Sequence, residues 1–280
     1  MKGLIVTADD FGVAFEVNDA VEQAHVHGIL TGASLMVGGG AVSDAVERAQ
    51  RLPTLRVGLH IVLVESRPVL PPSSIPDLVG SDGFFRRDMV ASAVNMFFRP
   101  SVRRQLAAEI AAQFEAYRAT GLPLDHVNTH KHFHLHPTIA GLILKVGARF
   151  GLKAARAPVE PAATLDRIEP GPGGGGATMF NLMARSVRAR FRRAGVATPD
   201  QVFGLRWSGA MTTPRLRGLI ETLPPGLTEI YLHPATVDRY PGSASGYRYA
   251  EELAALIASE VVLAASRPNI TTGGFLDLAT

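Results

Sequence analysis

A short β-rich run, a polar or glycine turn and a stretch of helical periodicity follow one another repeatedly along this chain. That alternation restricts the possible folds more than any other feature. "GLIVTADD" leads to a helix predicted from about Glu16 to His27, stopped at Gly28. "GASLMVGG" leads to "AVSDAVERAQRL", and "LRVGLHIVL" follows. Leu106, Ile110, Phe114 and Tyr117 predict a helix over Val102–Tyr117. "LDHVNTH" reads as the next strand, then "TIAGLILKVGARFG" as a helix, "TEIYLHP" as a late strand and "YAEELAALIASEVVLAAS" as a last amphipathic helix. Strands separated by helices pair in parallel. With 280 residues, one α/β barrel of about 250 residues would use nearly the whole chain. The expectation is therefore an α/β fold, a distorted (β/α) barrel of parallel strands, in one domain over residues 1–280.

Two stretches break the rhythm. Residues 65–88 are proline-rich, and residues 157–205 contain "EPGPGGGGAT". Both are expected as long rim insertions. A boundary near Gly171–Gly176 is the alternative, but the chain beyond it is too short to close a second α/β domain.

Composition narrows the chemistry. The chain has no cysteine, which excludes disulfides and thiolate metal sites, so any metal must be held by His, Asp or Glu. The start "MKGLIVTADDF", an apolar run interrupted by two aspartates, is not expected to act as a secretory signal, and no run of eighteen apolar residues exists to span a membrane. A net charge of +3 is too small to argue for nucleic acid.

In a parallel fold, functional side chains gather where strands end. The strand-final polar residues are Asp9, Asp10, His60, His130 and His233. Around His130, "HVNTHKHFHLHP" places five of the chain's nine histidines within eleven positions. Such a tract can be a tag, a solvated edge strand or a set of half-buried histidines, but it sits mid-chain between structured-looking segments. "LIVTADD" resembles the magnesium-holding strand of P-loop NTPases, yet no phosphate-binding loop with its lysine is present. "DDFG" echoes a kinase metal motif without the other kinase signatures. A hydrolase metal site is the remaining functional reading, with turn or helix-capping aspartates as the structural one. Imidazole plus carboxylate suits Zn²⁺ and similar ions, and three protein ligands leave positions open for catalysis.

"ADDFG", "GLH" about fifty residues on, "HVNTHKHFH" and "YLHP" occur in this order over essentially the whole chain. The sequence thereby resembles the YdjC-like carbohydrate deacetylases, the ChbG/HpnK family. Strand alternation does not separate Asp9 from Asp10; the resemblance does. It implies that Asp10, His60 and His130 hold one divalent metal ion, Zn or Mg, with Asp9 as base and His233 as general acid for N-deacetylation of an acetamido sugar. The family often has Asp two residues after the first histidine of the cluster, where this chain has Asn128. An amide is not an anionic partner, so the surroundings of His130 are expected to differ. The same tract looks more like the hopanoid-associated HpnK branch than the chitooligosaccharide branch, which implies an N-acetylglucosaminyl lipid as substrate. A soluble amino-sugar substrate is the alternative, and a non-catalytic metal-binding, lipid-presenting protein the alternative of another class.

His126, Asn128, His132 and His134 are expected as substrate contacts or supports of the ligands. Arg156, ending the strand-like "LKAAR", is expected to bond sugar hydroxyls, or else to form a surface salt bridge. His136 reads as structural at a helix start, and His25 and His27 as cations near a helix end.

"MFNLMARSVRARFRR" (179–193) aligns Phe180, Met183, Val187 and Phe191 on one helical face with Arg185, Arg188 and Arg192 on the other side. Met89, Val90, Val94, Phe97 and Phe98 in residues 84–100 have similar spacing. If the substrate is a hopanoid glycolipid, both read as peripheral membrane contacts on anionic lipid, at the inner face of the membrane of a cytoplasmic protein. The alternative is rim helices packed on the barrel or in a homodimer.

Overall fold

The computed structural model describes residues 2–86, 88, 95, 97–171 and 175–278, with side chains described from residue 178 onward in the last range. Strand β1 (Lys2–Phe11) buries Leu4, Ile5, Val6 and Ala8 completely, so both its faces are covered, as a central parallel strand requires. β2 (Gly32–Leu35), β3 (Arg56–Ile61) and β4 (Val127–Thr129) extend the sheet on one side of β1. β6 (Gly226–Leu232) and β5 (Gln201–Phe203) extend it on the other, giving the order β4-β3-β2-β1-β6-β5 with every pairing parallel. β7 (Ile270–Thr272) pairs with Lys2–Leu4, on the part of the β1 edge that β2 does not use.

The sheet curls, and an extended segment spans the gap between β4 and β5. Parallel bridges join Val127 to Ala155 and Ala154 to Ala197, and Val202 N–H donates to the Val159 carbonyl. The fold is thus the expected α/β architecture, a curled array of parallel strands forming a distorted (β/α) barrel. The strand-like "LKAAR" supplies the bridging segment, whose last residue is Arg156.

Helices α1 (Phe15–His27), α2 (Val42–Arg51), α3 (Pro100–Ala119), α4 (Pro137–Gly147), α5 (Ala162–Ile168), α6 (Gly175–Arg193) and α7 (Thr213–Glu221) follow the strands. In α3 the predicted stripe of Leu106, Ile110, Phe114 and Tyr117 is the buried one. The last amphipathic stretch is two helices rather than one, α8 (Tyr249–Ile257) and α9 (Ser259–Ala265), separated by Ala258 in extended conformation. The Leu256 carbonyl there accepts the N–H of Ile29. The short α10 (Phe275–Leu278) closes the described chain.

The stretch 157–205 is not wholly a rim insertion. It supplies α6, which buries Ala184, Val187 and Phe191 in the core, and then β5 of the sheet itself. The stretch from residue 65 is irregular and held by buried acids: Glu109 accepts the N–H groups of Val69 and Leu70. Glu160 does the same for Gly204, Leu205 and Arg206. Such bonds satisfy loop backbone that would otherwise be buried without partners.

Candidate active site

The carboxyl ends of β1, β3, β4 and β6 surround a cleft of about 230 Å³. Asp9, Asp10, His60, His130, His132, Tyr231 and His233 line it, with Tyr247 and Tyr249 on the wall. Successive residues of a regular strand point to opposite faces, yet Asp9 and Asp10 both reach the cleft. The reason is a bulge. Between Ala8 and Phe11, three steps of β1 match two of β2, and Asp10 has φ 63°. Left-handed backbone is uncommon outside glycine but tolerated by aspartate.

Asp10 Oδ1 lies 3.3 Å from His60 Nε2 and 3.3 Å from His130 Nδ1. One ligand atom from each of the three residues falls within 4.8 Å of the others. Asp10 Oδ1 and His60 Nε2 are buried with no hydrogen-bond partner among the described residues. Buried polar atoms are rarely left without partners. A carboxylate oxygen and two imidazole nitrogens converging in this way fit a divalent cation, which would satisfy all three. Burial opposes ionisation of Asp10, but His130 and His60 beside it outweigh that and hold its carboxyl well below the usual range.

Asp9 is 2% exposed and held from three directions. Arg156 Nη1 donates to its Oδ2 at 2.5 Å and Nη2 to its Oδ1 at 3.0 Å, while Asn128 Nδ2 donates to Oδ1 at 3.1 Å. Burial raises its pKa, but the Arg156 guanidinium, with His60 and His233 nearby, drives the carboxyl far below its ordinary value. Arg156 itself is fully buried and also binds Glu229 Oε1 at 2.7 Å through Nη2. Its guanidinium lies over the Tyr231 ring, 4.4 Å from the centroid. Arg156 is therefore neither a sugar contact nor a surface ion pair; it sits beneath Asp9. The sequence signal was available in "TEIYLH", where period-two alternation gathers Glu229, Tyr231 and His233 on one face.

Asn128 differs from expectation in its partner. It accepts from His60 Nδ1 at 2.6 Å, because His60 and Asn128 are register neighbours on β3 and β4. The electrostatic consequence of the amide thus falls on His60 rather than His130. Of the other histidines, His132 lines the cleft and its Nε2 lies 2.9 Å from the Tyr231 hydroxyl. Burial pushes its imidazole well below the usual range, which keeps it neutral. His134 is buried behind the cleft against Thr129 and the Phe191 ring, where a substrate does not reach it. His126 is buried between Asp125, Ser34 and the Phe275 ring, likewise away from substrate. His136 caps α4, accepting from Thr138 N–H.

His233 follows β6, and its backbone N–H donates to Glu252 at 2.5 Å. Its ring packs against Tyr247, with centroids 5.3 Å apart. Two residues with no motif of their own also line the cleft, Glu65 and Lys131, paired at 2.5 Å. Both have positive φ, 63° and 53°.

The predicted membrane stripe on α6 is divided. Val187 and Phe191 are in the core and Phe180 packs against it, whereas Met183 is 39% exposed. A hydrophobic stripe that faces the barrel is the ordinary role of a covering helix. The exposed apolar residues are instead Met179, Leu182 and Met183. In the other expected stripe, Phe97 and Phe98 are exposed, and Met89, Val90 and Val94 lie outside the described residues. No helix among the described residues is long and apolar enough to cross a membrane.

A parallel barrel that brings a carboxylate and two imidazoles together at its strand ends, with a second carboxylate and a third imidazole beside them, defines a barrel protein with a site that fits a divalent cation. A family model described as YdjC-like protein matches residues 3–265, and the chain belongs to that family. It is 30% identical over 255 residues to a carbohydrate deacetylase of Geobacillus stearothermophilus, a match covering 90% of this chain and 88% of that protein. It is 38% identical over 149 residues to a carbohydrate deacetylase of Brevibacillus brevis, covering 52% of this chain and 56% of the relative's length. The fold also matches the crystal structure of an Enterococcus faecalis V583 protein described as a proposed cellobiose-phosphate cleavage protein. The TM-score is 0.76 at 24% identity, over 100% of this chain and 99% of that one.

Proposed function

We propose that this cleft is the active site of a metal-dependent carbohydrate N-deacetylase that removes acetyl from an N-acetylglucosamine unit. The observation that carries the reading is the convergence of Asp10, His60 and His130 within 4.8 Å, with Asp9 and His233 lining the same cleft. The names of the family relatives, carbohydrate deacetylases, support it. Asp10, His60 and His130 would hold the ion, Zn or Mg. When bound, a divalent ion supplies Lewis acidity for water activation and for the developing oxyanion.

The chain's own groups supply the proton transfers. Asp9 takes the proton of the attacking water, and its pairing with Arg156 keeps it ionised at the expense of base strength. An amine leaves poorly unless protonated, and His233 as imidazolium gives that proton to the departing nitrogen. Tyr247 offers its ring to the apolar side of a pyranose, and Lys131 and Glu65 offer polar contacts at the rim.

The finer reading is that the sugar is carried by a hopanoid glycolipid. It is supported by the resemblance of the 126–137 tract to the hopanoid-associated branch, and by the exposed Met179, Leu182 and Met183 on α6, whose Phe180 ring lies 5.9 Å from that of His132 in the cleft. The test is to incubate zinc-loaded protein with an N-acetylglucosaminyl lipid and with N,N′-diacetylchitobiose and to measure free acetate. Release from the lipid in preference is expected. Release from diacetylchitobiose alone would replace the lipid with a soluble amino sugar, and release from neither would overturn the deacetylase reading for this sugar class.

A further inference from the structure

Beneath the cation centre, a chain of buried hydrogen bonds runs to the other end of the barrel. Asp125 accepts backbone N–H groups from Phe275 and Leu276 of α10, and its Oδ2 lies 2.9 Å from His126 Nδ1. His126 Nε2 lies 3.0 Å from Ser34 Oγ, which lies 2.8 Å from Asn128 Nδ2. Asn128 Oδ1 lies 2.6 Å from His60 Nδ1. Ser34, His126 and Asn128 are 0%, 1% and 1% exposed, so water does not substitute for these partners. Even the backbone makes room for the chain. A Cβ on Gly58 would fall 2.5 Å from the His126 ring.

The partners orient every proton. An ionised carboxylate only accepts, so Asp125 requires a proton on His126 Nδ1, which leaves Nε2 of the neutral ring as an acceptor. Ser34 then donates to Nε2 and accepts from the Asn128 amide. The second amide hydrogen of Asn128 goes to Asp9. This orients the carboxamide with Oδ1 toward His60 and places the His60 proton on Nδ1. The Nε2 lone pair of His60 is then directed at Asp10 and His130.

We infer that Asp125, His126 and Ser34 are positioning residues for the cation centre, forming a tautomer relay that acts through Asn128 to keep His60 Nε2 unprotonated as a ligand. The relay rests on the reading of His60 as a cation ligand. In Asp125→Leu, no acceptor holds the proton on His126 Nδ1, and the neutral ring carries it on Nε2, where Ser34 Oγ accepts it. The Ser34 hydrogen, released from Nε2, turns toward Asn128, where it opposes the amide NH₂ and favours a flipped carboxamide that gives up its bond to Asp9 and presents NH₂ to His60. The proton of His60 then sits on the atom that the cation needs.

The experiment combines two readouts. Two-bond ¹H–¹⁵N correlations on metal-free protein, at a pH where both imidazoles are neutral, report the tautomers, and chelator competition reports the affinity for Zn²⁺ alone. In the unaltered protein His126 and His60 are both expected to carry their proton on Nδ1. Asp125→Leu is expected to shift His126 to Nε2–H, to populate Nε2–H on His60, and to lower zinc affinity about 10–100-fold, the range usual for groups that orient ligands. Asp277→Ala serves as control. It removes the ion pair to Arg56 and the bond to Gly274 N–H beside the same helix, and is expected to lower the Tm with tautomers and zinc affinity unchanged. If Asp125→Leu fails to fold, Ser34→Ala breaks the relay in its middle and is expected to leave His126 on Nδ1 while His60 becomes mixed.

An unchanged His60 tautomer in the folded variants, or an equal loss of zinc affinity in Asp277→Ala, would overturn the relay. Absence of zinc binding in the unaltered protein would instead overturn the metal reading, while the metal-free tautomers still decide the relay.

Discussion

Arg156 places its guanidinium against both carboxylate oxygens of Asp9, at 2.5 and 3.0 Å, with no exposure to solvent. A planar fork matches a carboxylate in this way and a lysine does not. Because Glu229 Oε1 shares the same guanidinium, one cation serves two buried acids. Replacing Arg156 with Met would leave both without their charge partner. Breaking a buried pair by removing one member costs about 3–5 kcal/mol. Urea denaturation of Arg156→Met is expected to show a loss of that order, and Arg156→Lys a smaller one. Unchanged stability in Arg156→Met would mean that the two acids are not ionised in the folded protein.

Asp9→Asn keeps the shape of the side chain but cannot accept a proton. Turnover is expected to fall by at least about 10²-fold, as for the loss of a general base. Zinc affinity should stay within a few-fold, because Asp9 lies beside the three converging ligand atoms rather than among them. Full activity in Asp9→Asn would assign the base elsewhere.

Zinc should stabilise the fold by binding the native state alone. At a free concentration 100 times its Kd, the gain is about 2.7 kcal/mol, read as a rise in Tm that a chelator reverses. His60→Ala removes one converging donor and should abolish that rise. A rise that survives His60→Ala would place the ion at another site.

The two sides of α6 predict opposite outcomes. Phe191 is 1% exposed, so Phe191→Ser should destabilise the protein by about 3–5 kcal/mol and depress turnover of every substrate together. Met179 and Leu182 are 60% and 63% exposed, so Met179→Ser with Leu182→Ser should leave the Tm unchanged. The double variant is expected to slow turnover of a lipid-linked substrate and weaken sedimentation with anionic vesicles, while a short soluble N-acetylglucosaminide reacts as before. Unchanged turnover of the lipid-linked substrate in the double variant would remove the lipid contact from α6.

The alternation of strand and helix segments made the parallel barrel legible, because period-two and period-3.6 patterns are local properties of the chain. The same logic picked out Asp9, Asp10, His60, His130 and His233, since parallel strands present their last residues at one end of the barrel. Three matters were decided only by tertiary structure. The bulge that turns both aspartates into the cleft depends on how β1 registers against β2, and no residue in "TADDF" announces it. Arg156 could be read as a surface cation because its partners, Asp9 and Glu229, lie 147 and 73 positions away in sequence. The stripe on α6 showed which side chains share a face but not what that face meets. Periodicity measures apolarity around a helix, and a barrel wall, a lipid surface and a second subunit all call for the same pattern. Only the packing of Val187 and Phe191 into the core chose among them.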